Sequence, residues 1–114
     1  MSEYIQITND YLKRLRDDSI CQEYFRQKEL VATQYPELKV QIDEFRKRNF
    51  KLQNETDSDR LFDEIDYFER EYEEFRKNPI VNDFLAAELA FCRMYQELEE
   101  YIGEAFAKDF DLSK

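Results

Sequence analysis

Apolar and polar residues follow a helical rhythm along nearly the whole sequence, and a strand-like alternation is sustained nowhere. A first helix is predicted over about residues 3–16, with Tyr4, Thr8, Tyr11, Leu12 and Leu15 on one side. Asp17, Asp18 and Ser19 then offer side chains for an N-cap. A second helix over about residues 19–33 carries Ile20, Tyr24, Phe25, Leu30 and Val31 and stops near Tyr35, because a residue before proline avoids the α region. Pro36 opens a third helix carrying Leu38, Ile42, Phe45, Asn49 and Leu52, which fades across Asn54–Ser58. Asp57 or Ser58 caps a fourth, with Leu61, Ile65, Phe68, Tyr72 and Phe75, ending at Lys77 and Asn78.

The stretch "NPIVNDFLAAELAFC" is the most apolar run in a very charged chain. Asn78 suits an N-cap and Pro79 the first helical position, so a fifth helix restarts with almost no loop and runs to about Ala107. It carries two neighbouring rows. One is Ile80, Phe84, Ala87, Phe91, Met94, Leu98, Tyr101 and Ala105; the other is Val81, Leu85, Glu88, Cys92, Tyr95, Glu99, Ile102 and Phe106. Together they are about twice as wide as a single coiled-coil seam, so this helix is expected to meet more than one neighbour. Roughly 28 residues at about 1.5 Å each give roughly 42 Å. A compact globule of this length is only about 35 Å across. The expected fold is therefore all-α: about five helices in an elongated antiparallel bundle with a long C-terminal helix, as a single domain over residues 1–114. The overhanging apolar row, Ile80, Phe84, Ala87, Phe91, Met94, Leu98 and Tyr101, is the expected interface of a homo-oligomer, a dimer first.

Composition narrows the chemistry. One Gly and two Pro leave little turn material, which favours helices over strands. A net charge of −10 disfavours phosphate backbones and anionic lipid, so no direct nucleic-acid binding and no membrane association are expected. The basic clusters Lys13-Arg14 with Arg16, and Arg46-Lys47-Arg48, read as solvated helix faces. There is no His, which removes Ser-His-Asp, Cys-His and Glu-x-x-His arrangements, and one Gly excludes phosphate-cradling loops. Neither an enzyme nor a small-molecule substrate is expected. The carboxylates of Asp63–Glu74 and Glu97–Glu104 lack EF-hand spacing and read as acidic faces paired with Arg and Lys. Cys21 and Cys92 read as reduced core residues of a cytoplasmic protein without cofactor or metal. The alternative is an iron–sulfur or metal-linked regulator that shares both cysteines across chains, since one chain has half the thiolates a cluster needs. Glu88, inside an apolar row, reads as paired with an Arg, the alternative being exposure at the rim of an interface. Tyr and Phe make up 16% of the chain, and the eight tyrosines suit wet-edged interfaces as well as a core.

The segment "NPIVNDFLAAELAFCRMYQELEEYIGEAF" resembles the YlbF/YmcA/YheA family of small bacterial helical proteins, through Asn78, Pro79, Ile80 or Val81, Phe84, Leu85, Ala87, Glu88, Phe91 and Leu98. "EYFRQKELVATQYPEL" resembles the second and third helices of that family through Tyr24, Lys28 and Pro36, with Tyr35 where an acidic residue commonly stands. The resemblance implies a non-enzymatic helical protein that assembles with like or related helical subunits. It further implies a regulatory role linked to RNase Y-dependent RNA processing and to competence, sporulation or biofilm formation. Some members carry cysteine-bearing tails and are associated with iron–sulfur clusters; this sequence has no such tail after its fifth helix and looks closer to the YheA type.

Overall fold

The structure, a computed structural model, describes residues 1–111. Six helices account for nearly all of them: α1 (Glu3–Leu15), α2 (Ser19–Gln34), α3 (Pro36–Glu55), α4 (Ser58–Glu71), α5 (Glu73–Lys77) and α6 (Pro79–Asp109). The protein is all-α, and its C-terminal helix of 31 residues is the longest.

Local chemistry sets most of the boundaries. The Asp18 carboxylate accepts a hydrogen bond from the Ile20 N–H at 2.9 Å, which starts α2. Tyr35, in front of Pro36, takes φ −134° and ψ 55°, outside the α region, and Pro36 opens α3. The Asn78 side-chain oxygen accepts from the Ile80 N–H at 2.9 Å, so α6 starts as its sequence dictates. Asp57 precedes α4 at φ −59° and ψ 142°, and its carboxylate accepts no capping hydrogen bond.

One boundary departs from expectation. The fourth predicted helix is two helices, parted at Tyr72, whose φ of −101° and ψ of 12° fall in the bridge region. The backbone bonds on either side survive: the Tyr72 N–H reaches the Phe68 carbonyl at 3.1 Å, and the Arg76 N–H reaches the Tyr72 carbonyl at 3.0 Å. The Tyr72 ring meets Phe45 edge-on at 5.0 Å while its hydroxyl accepts from Arg48 at 2.8 Å. Packing and hydrogen bonding of one side chain thus outweigh a periodicity that runs on through it.

Contacts divide the chain into two compact units, with both divisions falling inside helices, α2 and α6. One unit is Gln27–Leu85. Its centre is an antiparallel pair, α3 and α4, closed by Phe45, Leu52 and Phe68, with Leu61, Ile65, Tyr72, Phe75 and Leu85 around them. Phe45 stacks on Phe68 at 5.2 Å and lies 5.7 Å from Phe75. Arg48 clamps the pair: it donates to both Glu71 oxygens at 2.9 and 2.8 Å, and its guanidinium lies 5.7 Å from the Phe68 ring centre and 5.1 Å from that of Tyr72. Val31, Ile42, Val81 and Phe84 are also buried in this unit.

The other unit is Met1–Arg26 together with the chain from Ala86 onward. Its interior is thin. Cys21 and Ala87 are buried. The Phe91 ring lies 4.6 Å from that of Tyr24 and 6.0 Å from that of Phe25, and the Cys21 Sγ lies 3.7 Å from the Met94 Sδ. All of α1 is present as a helix, yet none of its residues is buried.

Candidate interaction surface

The expected interface row of the last helix divides along its length. Phe84 and Ala87 are buried within their own chain, and Ile80, Phe91, Met94 and Leu98 are half-buried. Tyr101 is 73% exposed. The second row turns outward sooner. Val81 is fully buried and Leu85 half-buried, but Cys92, Tyr95, Ile102 and Phe106 are exposed. Glu88, between the two regimes, is half-buried and not without a partner.

Helix α1 supplies a second apolar surface. At about 100° per residue, Tyr4, Ile5, Ile7, Thr8, Tyr11, Leu12 and Leu15 fall within about 160° of its circumference, while Glu3, Gln6, Asn9, Asp10, Lys13 and Arg14 fill the remainder. So complete a segregation normally marks a helix packed on a core. Instead Tyr4 is 71% and Ile7 61% exposed, and Ile5, Tyr11 and Leu12 also face solvent. Sequence reasoning placed Tyr4, Tyr11 and Leu12 on one side of a helix and missed Ile5 and Ile7; that this side lacks cover depends on tertiary packing, which periodicity does not report. In the other unit Val40, Phe50, Phe62 and Tyr67 are exposed too, but they stand singly on α3 and α4 rather than in a continuous row.

Charge around the outer row of α6 is local. The Glu99 carboxylate hydrogen-bonds the Tyr95 hydroxyl, which raises the phenol pKa. In the α3–α4 pair, the Arg48 guanidinium holds the Glu71 carboxyl below its ordinary range, and Glu71 raises Arg48 in return. Lys77 is raised by Glu74 and then by Glu73.

The remaining polar features offer little chemistry. An open groove of about 410 Å³ is lined by Arg48, Lys51, Leu52, Glu55, Glu64 and Tyr67, among others, and its Arg48 is already committed to Glu71. Among the described residues no group of three or more His, Cys, Asp or Glu is placed to hold a metal ion. Cys21 is 2% exposed, and burial, followed by the Asp18 charge, pushes its thiol pKa up. Both effects oppose the thiolate that a metal requires. Cys92 is exposed. Among the described residues no helix is long and apolar enough to cross a membrane.

Fold and surface define a class: an all-α protein whose helices turn apolar side chains toward solvent. A family model described as control of competence regulator ComK, YlbF/YmcA, matches residues 8–106, and the chain belongs to this family. No curated protein and no solved structure matches the chain.

Proposed function

We propose that this chain is a non-enzymatic regulatory subunit of the cytoplasm that acts by assembling with a second copy of itself, or with a related helical subunit, through the outward apolar side of its last helix. The observation that carries this reading is the row Tyr95, Ile102 and Phe106, with Tyr101 beside it, all exposed, whereas Val81, Phe84 and Ala87 earlier in α6 are buried. Apolar side chains aligned over several helical turns are stabilised when a partner removes them from water. The proposed surface differs from the interface row expected from sequence: of that row Phe84 and Ala87 are already covered by their own chain and only Tyr101 is exposed, so the proposal moves to the neighbouring row. Membership of a family described by competence control supports a regulatory role. The finer role proposed for the assembly is accessory: it supports RNase Y-linked RNA processing and, through it, competence, sporulation or biofilm formation.

The test combines mass and partnership. Ile102→Asp with Phe106→Asp should halve the mass seen by light scattering and leave the helical circular dichroism intact. An unchanged mass would remove α6 from the interface. For the finer role, affinity capture of the native chain from its own cell should recover RNA-processing components, and transcripts matured by RNase Y should change when the chain is deleted. Unaltered transcripts would end that part of the reading.

A further inference from the structure

Helix α1 raises a problem of stability that its own chain does not solve. An isolated helix of 13 residues is marginal in water, and natural helices owe their persistence to a packed apolar side. This helix has such a side and buries no residue with it. Within the same unit, α6 has a bare row of similar length. The apolar side of α1, 13 residues long, covers about 20 Å, and the step from Tyr95 to Phe110 covers about 22 Å.

We propose that α1 of one copy lies antiparallel along the C-terminal half of α6 of a second copy, with Ile7 over the partner copy's Phe106 and Arg14 beside its Glu99. The inference rests on the self-assembly reading above and adds which surfaces meet. Three observations select a second copy as the occupant. Each chain carries one α1 side and one α6 row, so a two-fold exchange covers both on both chains with nothing left over. Arg14 and Arg16 flank the apolar side of α1 at its C-terminal end, and Glu99 is the carboxylate within the exposed row of α6. That local match of sign offsets part of the repulsion between two chains of net charge −10. Area agrees as well. Tyr4, Tyr11, Tyr95 and Phe106 are each between 45% and 71% exposed. Aromatic side chains bury about 150–250 Å² each. Those four, already partly covered, fall short of the about 800 Å² per partner of a stable interface, and Ile5, Ile7, Leu12, Ile102 and Phe110, 39% to 71% exposed, bring two helix pairs to that scale. The direction follows from the anchors. With Arg14 at Glu99, the seven residues back to Ile7 match the seven forward to Phe106, and Tyr4 reaches the level of Phe110.

Two chains in a Cys21→Ala, Cys92→Ser background test the placement. One carries Ile7→Cys; the other carries Phe106→Cys and a tag that changes its size. Co-expressed and treated with a short bis-maleimide, they should give mainly the mixed product. A dimer by light scattering that yields no mixed product would overturn the placement of α1 while leaving self-assembly standing. A monomer mass throughout for the native chain would overturn both. So would a chain carrying both substitutions that crosslinks only within itself at monomer mass. A charge swap needs no cysteines: Arg14→Glu or Glu99→Arg alone should weaken self-association about tenfold, and the two together should restore it. Failure of the double swap to recover the loss, or single swaps without effect, would count against the pairing.

Discussion

Phe45 touches Phe68, Tyr72 and Phe75 at once and is 7% exposed, so its ring is the centre of the α3–α4 pair. Replacing it with Ala should cost about 3–5 kcal/mol, read as a lower urea midpoint. Arg48→Ala should lower the melting temperature more than Glu71→Gln does. The first loses packing on Phe68 and Tyr72 as well as the carboxylate bond, whereas the second loses only the charge of one partner. The pH dependence has a definite sign. Glu71 has a folded pKa below its unfolded value, so its contribution is present above the ordinary carboxylate range and is lost as pH falls through the lowered folded value. Glu71→Gln should flatten that acid-side loss in urea titrations run at several pH values; an unchanged slope would contradict the clamp. Cys21 runs the other way. Its folded pKa is raised, so its contribution is present below the ordinary thiol range and lost as pH rises through the folded value. A single native thiol, Cys92, should react quickly with a thiol reagent once chains are apart, and both after denaturation.

Elements were largely legible because their signals are local. Asn78 with Pro79, and Asp18 ahead of Ser19, fix helix starts through groups only two residues apart, and the structure contains both hydrogen bonds. Asn78→Ala should therefore cost about 0.5–2 kcal/mol. Gly103 lies inside α6, and a Cβ there would meet nothing within 4 Å, so Gly103→Ala should stabilise the helix by up to about 1 kcal/mol. A rise in melting temperature checks this, and a fall would mean that a neighbour lies closer to that position than the single chain indicates. The break at Tyr72 was not legible. Leu61, Ile65, Phe68, Tyr72 and Phe75 keep an unbroken helical spacing, and the turn arises from contacts of Tyr72 with Phe45 and Arg48 on another helix. Nothing within four residues of Tyr72 encodes those contacts.

For the molecule as a whole, the width of the apolar side on α6 pointed to more than one neighbour, and the structure leaves its outer row exposed within one chain. Which part of the row the chain covers itself was hidden, because Phe84 and Phe91 look alike in spacing while only the first is buried. The contribution of α1 was hidden for the same reason: its pattern announces a packed side but not whose core it joins. The family was readable because the residues that carried the resemblance, Asn78-Pro79 and Ala87-Glu88 among them, lie close together in sequence, and the family model spans residues 8–106. The central claim is that the apolar sides of α1 and α6 are covered by a second copy. Light scattering of the native chain across a dilution series tests it most directly. The account predicts twice the chain mass at micromolar concentration, falling toward one chain mass when Ile7 and Phe106 are both changed to Asp. A native chain that runs at a single chain mass at every concentration, its helical signal undiminished, would contradict it.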